Sequence, residues 1–280
     1  MLSYKHHYHA GNFADVHKHL AQIAVLDALF RKDSACLILD THAGSGHYDL
    51  LALPEKHSTE YRNGIARLWD LDPRPTQLTR YLNLIQSMNP DSQLRYYPGS
   101  PAIAQQLLRS QDRLQLLELH PAEYQTLKKF MRSDHRVSVH KRDAYEGLIA
   151  LLPPKEKRGV VLIDPSYEIK TEPEQLLEAV KKAWQRWRNG VYLIWYPLLP
   201  SGLHIRLLEG LTAGPFTQLW HCEIKVKKPL GEHGLYGSGL VLINPPWRVP
   251  EQLSEQLPAL ASWLSQGVHT VRHQWLRGPQ

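Results

Sequence analysis

Asp164-Pro165-Ser166-Tyr167 brings together the groups that make a poor nitrogen nucleophile react. The N6 amine of adenine is unreactive because its lone pair is delocalised into the ring. A carboxylate accepting one N–H and a backbone carbonyl accepting the other draw the nitrogen toward tetrahedral geometry. Proline fixes φ and lacks an N–H, which helps to hold its own carbonyl in place. An aromatic ring then stacks on the extruded base, a contact worth ~1–3 kcal/mol. Methyl transfer from a sulfonium to such an amine is an in-line displacement governed by positioning. The plain alternative is a strand-ending turn with Tyr167 in the core.

A second candidate site is Asp40-Thr41-His42-Ala43-Gly44-Ser45-Gly46. Gly44 and Gly46 allow a tight turn and close approach of a ligand to the backbone. The third glycine of a dinucleotide fingerprint is missing, since Asp49 stands in its place. This disfavours a nicotinamide-dependent oxidoreductase. Glu118 suits a ribose, whose two hydroxyls can both donate to a carboxylate. Asp143 suits an adenine amino group. Asn244-Pro245-Pro246-Trp247 fits the amine-activating pattern by its letters, but it ends the last apolar run, so topology gives it a structural role.

These residues must be placed by strands. Apolar runs at Cys36–Asp40, Leu114–Glu118, Val160–Asp164 and Val191–Tyr196, with Val137–His140, Thr217–Val226 and Leu240–Ile243, predict seven strands. Helical periodicity appears over Asp15–Phe30, Ala102–Arg109, Pro121–Met131 and Pro173–Trp187. Alternation of this kind predicts an α/β, Rossmann-like fold: a mostly parallel sheet with helices on both faces. The last two runs predict an antiparallel pair at one edge. Open sheets of this class bind ligands at the carboxyl ends of their strands. A small helical insertion is expected at residues 51–96, leaving residues 1–50 and 97–280 as the core.

Hydrophobic residues at 42% and charged residues at 21% exclude a disordered chain. Lys+Arg exceed Asp+Glu by 33 to 27, a net +6 that favours a phosphate-bearing partner. The clusters Lys225-Val226-Lys227-Lys228 and Lys155, Lys157, Arg158 face either a phosphate track or solvent. Two cysteines with no zinc spacing argue against a disulfide framework, and a cytoplasmic location is expected. No apolar run approaches the ~20 residues that span a bilayer, so no membrane partner is expected. The histidine-rich start (His6, His7, His9, His17, His19) has no metal-ligand spacing, and no metal is expected. Tyr4, His6 and Lys18 are placed to form a lid over a cofactor or to reach a phosphate.

The motifs LSYKHHYHAGNFADVHKH, LDTHAGSGHY, RYYPGSP, ELHP, LIDPSYE, WYP and INPPW together resemble the bacterial large-subunit ribosomal RNA adenine-N6 methyltransferases of the RlmJ type, nearly end to end. That family also carries an older label, involvement in catabolism of external DNA. The resemblance implies a class I methyltransferase that uses S-adenosylmethionine. It implies cofactor contacts at His19, His42, Ser100, Glu118, Asp143 and Asp164, with Lys18 close to the cofactor. It puts Asp164 and the Pro165 carbonyl on the target amine, Tyr167 on the base, and Tyr4 and His6 on the substrate side. It implies a monomer acting on 23S ribosomal RNA, expected as free RNA before assembly. Ser166 departs from the pattern, which has a second proline there. The alternatives are a DNA-adenine methyltransferase and a non-catalytic DNA-binding protein.

Overall fold

A computed structural model describes residues 6–52, 60–229, 231 and 234–278, apart from the side chains of His6 and Gln77. In chain order the elements are helix α1 (Phe13–Phe30), strands β1 (Leu37–Asp40) and β2 (His47–Asp49), helices α2 (Ile65–Trp69) and α3 (Thr76–Ser87), strand β3 (Tyr96–Pro98), helix α4 (Ser100–Leu107), strand β4 (Arg113–Leu117), helix α5 (Pro121–Met131), strand β5 (Val137–His140) and helix α6 (Ala144–Ala150). Strand β6 (Gly159–Ile163), helix α7 (Glu172–Arg186), strand β7 (Val191–Leu198), helix α8 (Leu203–Thr212), strands β8 (Leu219–Lys225) and β9 (Gly237–Ile243), helix α9 (Val249–Trp263) and strand β10 (Thr270–Arg277) follow.

The main sheet has the order β10-β8-β9-β7-β6-β1-β4-β5. Strands β5, β4, β1, β6 and β7 are parallel, while β9 runs antiparallel to both β7 and β8. Side chains alternate across it as a pleated strand requires. Ile38, Val160 and Leu162 enter one apolar layer with α1 and α9, and Leu37, Leu39, Val161 and Ile163 enter the other with α7. The helices therefore cover both faces, as the alternation predicts.

Two expectations about the sheet need correction. It has eight strands, because β10 adds outside β8. Most β10 residues are exposed, so the strand lacks the apolar alternation that would have marked it. The antiparallel pair of β8 and β9 is real but does not form the edge, since β10 pairs on the outer side of β8. The helices at 65–87 have no core of their own. Ile65, Leu68, Tyr81, Leu82 and Ile85 join the same apolar layer as α1.

Helix α1 sets up the site. It is buried nearly all round, including the polar Asp15, His17, Lys18, His19 and Gln22. Asn12 caps it, accepting the N–H groups of Ala14 and Asp15 at 2.9 and 3.0 Å. Its first two turns thus carry buried polar groups that need partners, and those partners lie at the carboxyl edge of the sheet.

Candidate active site

Parallel pairing brings four strand ends to one edge. Asp40 closes β1, Glu118 follows β4, Asp143 lies three residues beyond β5, and Asp164 follows β6. Gly44, Glu118, Asp143 and Asp164 all line one cavity of about 300 Å³. The glycine turn and the Asp164 turn therefore open onto the same space.

Gly44 adopts φ +59° and its N–H donates to Glu118 Oε2 at 2.8 Å. The other oxygen of Glu118 accepts from His120 N–H at 2.7 Å. Burial raises the pKa of Glu118, a pull the two amides oppose. The glycines were expected to make room for a ligand. Instead, a Cβ on Gly44 would lie 2.5 Å from the Tyr48 hydroxyl, and one on Gly46 2.8 Å from Leu127 Cδ1. The protein's own side chains fill that space, and Gly46 does not line the cavity.

The other expected cofactor contacts sit around this turn. Asp143 caps α6, its Oδ1 accepting the N–H groups of Tyr145 and Glu146 at 3.0 and 2.9 Å. Ser100 lines the cavity and donates to Asp40 Oδ2 at 2.6 Å. Asp40 is buried beneath it, and burial pushes its pKa up to about 6. His19 lines the cavity with Nδ1 2.9 Å from the Tyr97 hydroxyl. Burial pulls the pKa of His42 down to about 4, which leaves a neutral ring near Asp164. Its Nδ1 lies 2.8 Å from Thr41 Oγ1 and accepts weakly from the Asp164 N–H at 3.4 Å.

Lys18 reaches from α1 to both Asp15 Oδ1, at 2.8 Å, and Asp164 Oδ2. Burial disfavours its charge, but the two carboxylates outweigh burial and raise its pKa. With two carboxylates and one ammonium, the cluster carries one net negative charge. Lys18, Asp164 and Ser166 also line a second cavity of about 310 Å³. They thus form the divide between the two spaces. Glu60 lines the second cavity and accepts from Asn12 Nδ2 at 2.9 Å, with His9 Nδ1 3.0 Å away. The Asp15 anchor and the Glu60 contact escaped sequence reading. Asp15, one turn before Lys18, could have been flagged as its i,i+3 partner.

Pro165 is buried. Tyr167 holds φ +54° and is 6% exposed, and its hydroxyl donates to the Trp195 carbonyl at 2.8 Å. Its ring packs into the apolar layer of α7 and lines neither cavity. Tyr4 and the side chain of His6 lie outside the described residues. Asn244 is at the opposite end of the sheet, where its Nδ2 donates to the carbonyls of Arg188 and Gly190 at 2.6 and 2.8 Å. It clamps the approach to β7. Among the described residues, no three His, Cys, Asp or Glu side chains cluster as metal ligands do.

A parallel sheet with two reversed strands, β9 and β10, toward one end and strand-ending acids around a pocket at its carboxyl edge is the Rossmann-like fold of class I methyltransferases. The family model described as "Ribosomal RNA large subunit methyltransferase D, RlmJ" matches residues 33–277. The chain is 42% identical over 264 residues to Ribosomal RNA large subunit methyltransferase J of Escherichia coli K12, covering 94% of each chain. It is 40% identical over 278 residues to the protein of that name in Haemophilus influenzae, covering 99% of each. A crystal structure of a Legionella pneumophila protein, 38% identical, matches with a TM-score of 0.88 over 95% of this chain and 98% of that one. The chain belongs to the RlmJ family of ribosomal RNA large subunit methyltransferases.

Proposed function

We propose that this protein transfers a methyl group from S-adenosylmethionine to N6 of an adenine in 23S ribosomal RNA. One observation carries the reading: Asp164 stands on the divide between two cavities of similar size, paired with Lys18 and beside Ser166. A donor in the first cavity and a base in the second would meet at its carboxylate. The first cavity fits the cofactor. Its size falls in the range of small-molecule sites. Its acceptors also match, with Glu118 for ribose hydroxyls and Asp143 for an adenine amine. His19, His42, Gly44 and Ser100 complete the proposed cofactor side, with Gly46 shaping the glycine turn behind it, and Tyr4 and His6 are assigned to the substrate side as the resemblance implies.

When bound, S-adenosylmethionine supplies an electrophilic methyl group on a cationic sulfur. The net negative charge of Asp15, Lys18 and Asp164 complements that cation, and neutral His42 avoids repelling it. Asp164 accepts one N–H of the target amine and the Pro165 carbonyl accepts the other, so the nitrogen lone pair points away from both. Lys18 pairs with the Asp164 carboxylate and fixes its orientation. As the new C–N bond forms and the methyl–sulfur bond breaks, the positive charge passes from sulfur to nitrogen. Its surplus proton passes to Asp164 and on to solvent. The base must leave its stack to reach this turn, so free RNA is the expected substrate.

The test is label transfer from tritiated S-adenosylmethionine to unmodified large-subunit ribosomal RNA, followed by nucleoside analysis. N6-methyladenosine should carry the label, and Asp164→Asn should slow its formation roughly 100- to 1000-fold, in line with the loss of a transition-state electrostatic group. Label in another nucleoside, or preferential labelling of duplex DNA in competition, would overturn the reading.

A further inference from the structure

We infer that Trp195 is the ring on which the substrate base stacks, fixed from behind by Ser238 and His17. The inference deepens the adenine-methyltransferase reading and rests on it. A base whose amine reaches Asp164 from the second cavity must lie along that cavity's walls. Trp195 is the one Trp, Tyr or Phe among its described lining residues, beside Pro197, Leu199 and Leu235. It is half-buried, with part of its surface available to a ligand. Tyr167 stands behind it, with ring centroids 5.9 Å apart and planes inclined at 66°. The Tyr167 hydroxyl is tied to the Trp195 backbone, so Tyr167 buttresses the indole.

Hydrogen bonding holds the indole still. Trp195 Nε1–H donates to Ser238 Oγ at 2.9 Å, and Ser238 is fully buried. His17 Nδ1 lies 3.0 Å from the same oxygen, and His17 Nε2 lies 3.5 Å from Cys222 Sγ. An indole nitrogen only donates, so the serine oxygen accepts from Trp195, and the arrangement that also gives the serine proton a partner within the chain sends it to His17 Nδ1. The imidazole proton then sits on Nε2, facing the sulfur. Every member of the chain is satisfied with His17 neutral, and burial lowers its pKa to about 3. Turning the indole would break a fully buried chain. Adjacent residues of α1 thus secure both halves of the substrate site. His17 fixes the stacking wall through Ser238, and Lys18 fixes the amine acceptor. A wall ordered in advance costs the base less freedom on binding.

The test uses the full-length protein, large-subunit ribosomal RNA and calorimetry with S-adenosylmethionine. Trp195→Leu should lower kcat/KM for RNA roughly 5- to 100-fold, the range for loss of one base stack. Trp195→Phe should recover most of it. The cofactor Kd should stay within about twofold in both variants, which separates a substrate wall from a general structural role. Wild-type kcat/KM in Trp195→Leu, equal losses in the Phe and Leu variants, or a cofactor Kd that weakens in step with kcat/KM would each overturn the inference. If the wild-type protein forms no N6-methyladenosine in RNA, the functional reading falls and this inference with it. If the wild type is active and Trp195→Leu is silent, only the stacking assignment falls.

Discussion

Replacing Lys18 with methionine keeps the length of the side chain and removes its charge. The Lys18 side chain is 10% exposed, and the side chains of Asp15 and Asp164 are 3% and 18% exposed. Two carboxylates would then share a nearly dry site with no cation between them. Removing one partner from a buried pair costs about 3–5 kcal/mol, because the remaining charge is stranded. For a chain of this size that lowers Tm by roughly 6–15 °C. Because the folded-state pKa of Lys18 is raised above its ordinary 10.5, its contribution is fully present below that value and fades only as pH rises through the folded pKa. The deficit in the variant should therefore be constant between pH 6 and 9. Adding Asp164→Asn removes one stranded charge, so the double variant should be less destabilised than the sum of the singles by more than ~1 kcal/mol. Methyl transfer should fall at least ~100-fold in Lys18→Met, since the amine acceptor loses its orientation. Thermal melts across pH and single-turnover labelling measure these effects. A Tm within 2 °C of wild type, or strict additivity in the double variant, would refute the account of a buried, charge-coupled acceptor.

Three other perturbations test separate parts of the site. Glu118→Ala should weaken S-adenosylmethionine binding about 10- to 100-fold by calorimetry, because charged acceptors for two hydroxyls are worth ~1.5–3 kcal/mol. Unchanged affinity would remove Glu118 from the ribose. Gly44→Ala should destabilise the fold by about 1–3 kcal/mol in denaturant melts, since φ is +59° and the new Cβ would crowd the Tyr48 hydroxyl. A neutral effect would contradict the packing described. His17 has a depressed folded pKa, so its contribution is present above the ordinary 6.5 and is lost as pH falls toward about 3. His17→Asn, which retains an acceptor for Ser238, should therefore lose less Tm than wild type between pH 7 and 4. Equal acid sensitivity would argue against a buried neutral imidazole.

Much of the fold could be read locally. Short apolar runs ending in Asp or Glu marked β1, β4 and β6, because strands buried on both faces leave little polar inside the run, Gln115 of β4 being the exception. Strand β10 was missed because TVRHQWLR has no regular apolar alternation and acquires its strand form from pairing with β8. The Asp164 turn was legible because it directly follows such a run. Trp195 lay within the VYLIWY run predicted as a strand, and nothing in its neighbours signalled a cavity wall.

Residue types and order alone marked Glu118, Asp143 and Asp164 as acids at or just beyond strand ends, and indicated that parallel strands would carry them to one edge. Those properties depend on short-range periodicity and on the chemistry of single side chains. Only the folded chain decided that Lys18 meets Asp164, 146 positions away, and that His17 reaches Ser238, 221 positions away. It also decided that Tyr167 is buried while Trp195 faces a cavity. Such contacts follow from how a buried helix finds partners for its polar groups across the sheet, and that choice is made by packing over the whole molecule.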